Sequence, residues 1–273
     1  MASESTYTSM STLVNSIWET AFLTASEAAV MPSLVRVFSD SSSSTPRKWA
    51  SYTGGTVDTV TEATDMSAQT FTPAAAGTLT PAQVGLQYFL TDQRIASDPF
   101  GAQRDAGADL GRVIGVSVDT NLVGLFASLT GGTVGTAGGT ITWANVQRAA
   151  AYLRAQYADG EIMCVLRPEQ WYYLTSASSG VPTLMQSPAW MDSLARNFYT
   201  SSWGNINFFI DANITSGTAA VAGMFVQDAM AYDLRRALRI ESQRDASRAG
   251  GGYELNATMI YAYGITARRL AAR

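Results

Sequence analysis

Read as a helix, the segment SDPFGAQRDAGADLGRVIGVSVDTNLVGLFASL, from Ser97 to Leu129, is too long to sit inside a small domain. At ~1.5 Å per residue it would approach ~48 Å. Ser97 or Asp98 can cap its first turn, and Pro99 suits the first helical position, where no N–H is needed. Asp105, Asp109, Arg112 and Asp119 recur on one stripe, a solvated or interfacial face. Leu110, Val113, Ile114, Val116, Leu122, Leu125, Phe126 and Leu129 cover most of the rest. Gly101, Gly107, Gly111, Gly115 and Gly124 each weaken the helix by about 1 kcal/mol relative to Ala, and they let other backbones come close. The segment reads as a strut.

A strut needs a body around it, and 273 residues allow one large domain or two ordinary ones. Charged residues are only 15% of the chain and apolar ones 47%, which points to a surface partly covered by other copies. Net charge is −4, without the basic excess that sequence-tolerant nucleic-acid binding requires. Acids prevail before residue 80, and bases prevail after residue 223. Lys48 is the only lysine, and the other basic residues are arginines, suited to forked contacts with carboxylates at interfaces. A GC-rich genome gives the same bias.

Along the chain, TLVNSIWETAFLTASEAAVM has helical periodicity through Leu13, Ile17, Ala21 and Ala25, ending near Pro32. DSSSSTP, residues 40–46, is a hinge. Residues 47–83 are rich in Thr and Ala, carry β-leaning pieces such as Thr56–Thr61, and hold little that could make a core. They read as a β-hairpin arm that leaves the body and lies on something else, with disorder as the alternative. VGLQYFLTDQRIA, residues 84–96, suits a strand or a short helix. TGGTVGTAGGTIT is a glycine-rich loop without phosphate-binding spacing.

Thr142 can cap a helix bearing Trp143, Val146, Ala150, Leu153 and Tyr157. EIMCVL then reads as a buried strand, and Pro168 opens a further helix, giving an α/β layer. INFFIDA is a strand, and AVAGMFVQDAMAYDL is another that runs into a turn. LRIESQRD and YELNATMIYAYGIT alternate with period two and form a long hairpin across ASRAGGG. The face carrying Arg239, Glu241, Arg244 and Asp245 is either an ion-pair surface between subunits or an ordinary wet face.

Chemistry is scarce. The chain has no His, which excludes Ser-His-Asp and Cys-His arrangements, and its one Cys, Cys164, lies in the EIMCVL strand. Cys/His zinc sites and internal disulfides are excluded as well. No catalytic, cofactor-binding or metal-binding residue stands out, although a carboxylate pair of glycosidase type could still meet in three dimensions. The glycosylation-type triplets at Asn213 and Asn256 read as chance matches. No secretory leader and no apolar run near 18 residues is present, so the expectation is cytosolic synthesis and no membrane partner.

The order of parts resembles the major capsid proteins of tailed bacteriophages, whose fold also builds encapsulin shells. AAVMPSLVRVFSD is similar to the family's passage out of the N-terminal arm, and TVTEATDMSAQTFTPAAAGTLTPAQVGLQYFLTDQRI to its extended loop. DPFGAQRDAGADLGRVIGVSVDTNLVGLF resembles the spine helix. ITWANVQRAAAYLRAQYADGEIMCVLRPEQWYYL is similar to the start of the axial domain. AGMFVQDAMAYDLRRALRIESQRDASRAGGGYELNATMIYAYGI resembles the closing peripheral strands.

The resemblance implies an α+β fold with an N-terminal arm (1–45), an extended loop (46–83) and a peripheral domain with the spine helix (84–130). An axial α/β domain (131–222) follows, and C-terminal strands (223–273) return to the peripheral domain. It implies pentamers and hexamers closing into an icosahedral shell, loose contact with packaged double-stranded DNA, portal and scaffolding partners, and no cofactor. Subunit contacts are expected at Lys48, Trp49, Tyr52, Glu62 and Phe71 of the loop, at Asp105, Asp109 and Arg112 of the helix, and at Arg239, Glu241, Arg244 and Asp245.

Some relatives crosslink through a loop lysine. Only Lys48 could serve here, near the base of the loop, and no acidic catalyst can be named, so no crosslink is expected. A long charged scaffolding extension is absent, and any scaffold is expected to be separate or removed. An encapsulin-type compartment, a surface-layer or adhesive protein and a carboxylate-dependent hydrolase are the alternatives.

Overall fold

Two sheets of different build meet at one end of a long helix. The computed structural model describes residues 29–273 except 41–44, 53–54, 63–64, 67, 71–72, 98–100, 137, 159, 176–200, 204, 218–219, 248–249 and 267–270. The N-terminal helix expected from Leu13 to Ala25 lies outside the described residues.

The first sheet has strand order β1 (Arg36–Ser39), β9 (Met230–Asp245), β10 (Gly252–Ile265) and β4 (Ala82–Thr91). β1 runs parallel to β9, with Arg36 opposite Ala231, and the other pairs are antiparallel. The turn between β9 and β10 uses Gly250 and Gly251 at φ 87° and 81°, a region that strains residues with a Cβ. Period-two alternation places Leu238, Ile240, Leu255 and Ala257 on one face, where they pack under Leu110 and Ile114. β9 is longer than the sequence pattern suggests. The expected turn after AMAYDL is instead a single 3-10 turn, Gln227–Ala229, and Tyr232 to Leu234 continue the strand.

The second sheet has order β11 (Ala271–Ala272), β8 (Gly223–Val226), β5 (Ile162–Leu166), β7 (Ile206–Ile210) and β6 (Ser201–Trp203). β8 and β11, grouped by sequence with the strands returning to the first sheet, belong here. Trp143, Val146, Ala150 and Leu153 of the helix Trp143–Ala155 pack on Cys164, Leu166, Phe208 and Met224. That helix starts as its sequence predicts, the Thr142 hydroxyl accepting from Asn145 N at 3.4 Å.

It ends less comfortably. Ala158 N reaches back to Leu153 O at 3.1 Å, and Tyr157 takes the left-handed position at φ 56° with its side chain 88% exposed. Tyr157→Gly is therefore expected to stabilise the subunit by ~0.5–1 kcal/mol, relief of strain exceeding the added chain entropy. A thermal melt of the variant checks this, and a lower midpoint would contradict the cap geometry.

The strut departs from its sequence reading. Helix α1 (Asp92–Ser97) ends where the long helix was expected to start, and α2 (Ala102–Gly124) begins after Gly101 with no side-chain cap. Ser97 closes α1, its hydroxyl donating to Arg94 O at 2.9 Å, and does not cap α2; Asp98 lies outside the described residues. Pro99 stands between the two helices in sequence and disfavours helical backbone in the residue before it. With 23 residues, α2 spans ~34 Å, and a 3-10 turn, Leu125–Ser128, continues it. Contrary to the sequence expectation, Arg104–Ser128 is long and apolar enough to cross a membrane, but half of its most apolar window is buried in this core.

The shared core lies at the C-terminal end of this helix. Val118, Leu122 and Phe126 meet Met31, Leu34 and Val35 from the N-terminal side, Tyr232 and Tyr261 from the first sheet, and Val165 and Phe225 from the second. The Phe126 and Phe225 rings lie 5.9 Å apart.

Candidate assembly surfaces

The arm has a fixed base and a bare middle. β2 (Arg47–Tyr52) pairs antiparallel with β3 (Pro73–Leu79), a two-stranded ribbon that joins the strand ladder of neither sheet. Leu79 is fully buried against Ala231 and Ala262, and Trp49 and Phe38 pack beside it. The Trp49 indole donates to Thr266 O at 3.3 Å and lies across Gly77, where a Cβ would come within 2.3 Å of the ring. The base is thus a seat on the chain's own first sheet, not only on something else.

Beneath it lies a charge cluster. Asp233 Oδ2, fully buried on β9, accepts from Arg47 Nε at 3.0 Å and from Arg235 Nη2 at 2.8 Å, and Asp40 stands 3.7 and 3.8 Å from the two guanidiniums. The sequence reading did not single these residues out. The signal was the charged run DLRR directly after the apolar Met230–Tyr232.

Beyond the ribbon, the described residues of 55–70 form no strand, so the β-leaning run Thr56–Thr61 is not one. The Gln69 amide stands in for a strand partner, accepting from Thr56 N at 2.8 Å and donating to Thr56 O at 2.5 Å. Val57 is 98% exposed, and Val60 and Met66 are exposed as well. Apolar side chains that water surrounds on all sides gain by being covered. Lys48 and Glu62 are exposed, and Tyr52 pairs with Pro73 through the backbone. Phe71 lies outside the described residues.

The helix stripe divides in two. Asp105 is exposed in the first turn of α2, a favourable place for a carboxylate. Asp109 accepts from the Tyr88 hydroxyl and from Arg112 Nη2 at 2.6 Å, and these bonds hold its carboxyl below the usual range. The same contact raises the Tyr88 phenol. Asp119, expected on the solvated or interfacial face, is fully buried. It accepts from Met31 N at 2.7 Å and from Asn213 Nδ2 at 2.9 Å. Asn213 therefore holds the core together at the position where a glycosylation triplet reads in sequence.

On the long hairpin, Arg239 and Glu241 pair with each other on an exposed face. Arg244 reaches Asp92 at 3.0 Å and lies over the Tyr253 ring at 5.4 Å, while Asp245 accepts from Ser247 N at 2.8 Å. Exposed pairs of this kind contribute little to stability.

Among the described residues these side chains assemble no reaction centre. Burial pushes the Cys164 thiol up to about 12, so it is inert as a nucleophile. Among the described residues no cluster of acids and Cys could hold a metal ion. One carboxylate pair does form, Asp119 with Asp211, but both members are buried.

No family model matches the sequence, and no curated protein does either. Solved structures do match. The capsid structure of the cyanophage P-SCSP1u is 12% identical with a TM-score of 0.65, over 89% of this chain and 86% of that one. The mature capsid of bacteriophage PhiM1 is 10% identical at 0.66, with 89% and 86% covered. The virus-like particle from Pyrococcus furiosus is 5% identical at 0.63, with 95% and 97% covered. Helix, two sheets and projecting ribbon together give this chain the tailed-phage major capsid fold.

Proposed function

We propose that this chain is the structural subunit of an icosahedral head shell, assembling through pentamers and hexamers around the double-stranded DNA of a tailed phage. The observation that carries the reading is the arm: a stretch with exposed Val57, Val60 and Met66, seated at its base and covered by nothing among the described residues. Such a stretch gains burial by lying on a neighbour, and heterologous contacts of that kind close into rings. The fold shared with phage capsid structures supports the same reading. The subunit's role is mechanical and not enzymatic.

In this reading the domains are the arm (1–45), the extended loop (46–83), the peripheral part (84–130, with β9 and β10) and the axial part (131–222, with β8 and β11). The exposed Lys48, Glu62, Asp105, Arg112, Arg239 and Glu241 are the charged contacts on offer to neighbours. Packaged DNA is touched loosely, since the net charge of −4 favours no strong phosphate grip. Portal and scaffolding proteins complete the set of partners, and the subunit's destination is the virion. A second reading, a cargo-holding compartment shell, draws on the match to the Pyrococcus furiosus particle. Neighbouring genes for portal and terminase, or for a cargo enzyme, separate the two.

Light scattering on a size-exclusion column, with negative-stain microscopy of the earliest fraction, is expected to give closed megadalton particles or isolated pentamers and hexamers. A monodisperse monomer with an ordered arm would overturn the shell reading.

A further inference from the structure

Asp119 of α2 and Asp211, which follows β7, are two carboxylates with almost no access to water, at 0% and 1% exposure. Asn213 bonds to both, through its side-chain amide to one and its backbone N–H to the other, which sets the two carboxyl groups side by side, where two negative charges would repel. The donors around them are already assigned. Met31 N donates to Asp119 Oδ1 at 2.7 Å, Asn213 Nδ2 to Asp119 Oδ2 at 2.9 Å, and Asn213 N to Asp211 Oδ1 at 2.8 Å. Asp211 Oδ2 is left with no donor, so it is the oxygen placed to carry a proton.

Among the described residues no arginine or lysine forms an ion pair with either carboxylate. Arg167, at the start of the helix Pro168–Thr175, donates to Ile214 O at 2.5 Å and pairs with Glu169 at 3.3 Å. Tyr232 of β9 and Tyr261 of β10 share the surrounding core, and the Tyr261 hydroxyl accepts from Asn121 at 2.7 Å. The groups that act on Asp211 are burial, Asp119 and the Asn213 N–H alone.

We propose that Asp119 and Asp211 form a proton-held clasp: one shared proton joins the long helix, the second sheet and the N-terminal segment at Met31, and losing it opens this joint. The inference concerns the subunit alone and does not depend on what the subunit builds. Burial first, and then Asp119, raise Asp211 to about 7. In an unfolded chain the same group loses its proton near about pH 4. The folded state therefore binds the extra proton between these values, and stability falls as pH rises from about 4 to about 7, levelling above.

The two carboxylates are not equivalent, which makes the clasp testable. In Asp211→Asn the amide donates permanently to Asp119, and its oxygen still accepts from Asn213 N. In Asp119→Asn a donor is set against Met31 N or Asn213 Nδ2. Thermal unfolding of the full chain between about pH 5.5 and 8.5 is expected to show the wild-type midpoint dropping by ~5 °C. Asp211→Asn is expected to remove most of that slope and to melt above wild type at the alkaline end, whereas Asp119→Asn melts lower throughout.

Trypsin at the alkaline pH is expected to cut after Arg36 faster in wild type than in Asp211→Asn. Asp211→Ser, a smaller neutral donor, serves the same comparison if Asn is not accommodated. A flat wild-type profile, or an Asp211 variant that keeps the wild-type slope, overturns the clasp.

Discussion

Asp233→Ala is expected to lower the free energy of unfolding by ~3–5 kcal/mol, because it removes the acceptor that two guanidiniums share. Arg235 is itself buried, and Arg47 is only partly exposed. Neither can turn fully to water without disturbing the ribbon or the strand that carries it. Asp233→Asn keeps the volume and one acceptor oxygen and is expected to lose roughly half as much. Urea unfolding of the two variants checks the order.

Because Arg47 lies on β2 and Asp233 on β9, the alanine variant also unfastens the arm, so trypsin should cut at Arg47 or Lys48 well before the body unfolds. A cost under about 1 kcal/mol would mean that the cluster behaves as a solvated surface network.

Replacing residues 55–70 with a short Gly/Ser turn is expected to separate folding from assembly. Described side chains in that stretch bury nothing, and its internal bonding is one glutamine amide on Thr56. The unfolding free energy should therefore stay within ~0.5 kcal/mol of wild type, a shorter loop being if anything slightly cheaper to close. Particles and rings, by contrast, should disappear from the light-scattering profile. Normal particles from this variant would remove the arm from any account of how copies hold one another.

Local patterns were legible in the sequence, and long-range partners were not. Trp143, Val146, Ala150 and Leu153 announce a helix face by spacing, and Leu255 and Ala257 announce a strand face by alternation. The start of the long helix was misread because Pro99 suits a first helical turn by its fixed φ, whereas the helix begins only at Ala102. Asp119 was placed on a wet stripe with Asp105, Asp109 and Arg112. Yet Val118, Leu122 and Val123 around it are all buried, and that apolar company was the readable warning. Asp211 carried no warning, since its partner lies on another element. β9 was cut short because DLRR looks like surface, whereas Asp233 and Arg235 neutralise each other inside.

The pairing of β1 with β9 sets an order on synthesis. Arg36 leaves the ribosome long before Ala231, its partner. Until then the first sheet lacks its central strands, and the seat that holds Trp49 and Leu79 does not exist. Contacts this distant along the chain form slowly. A nascent chain consequently has no fixed arm until β9 and β10 have both emerged.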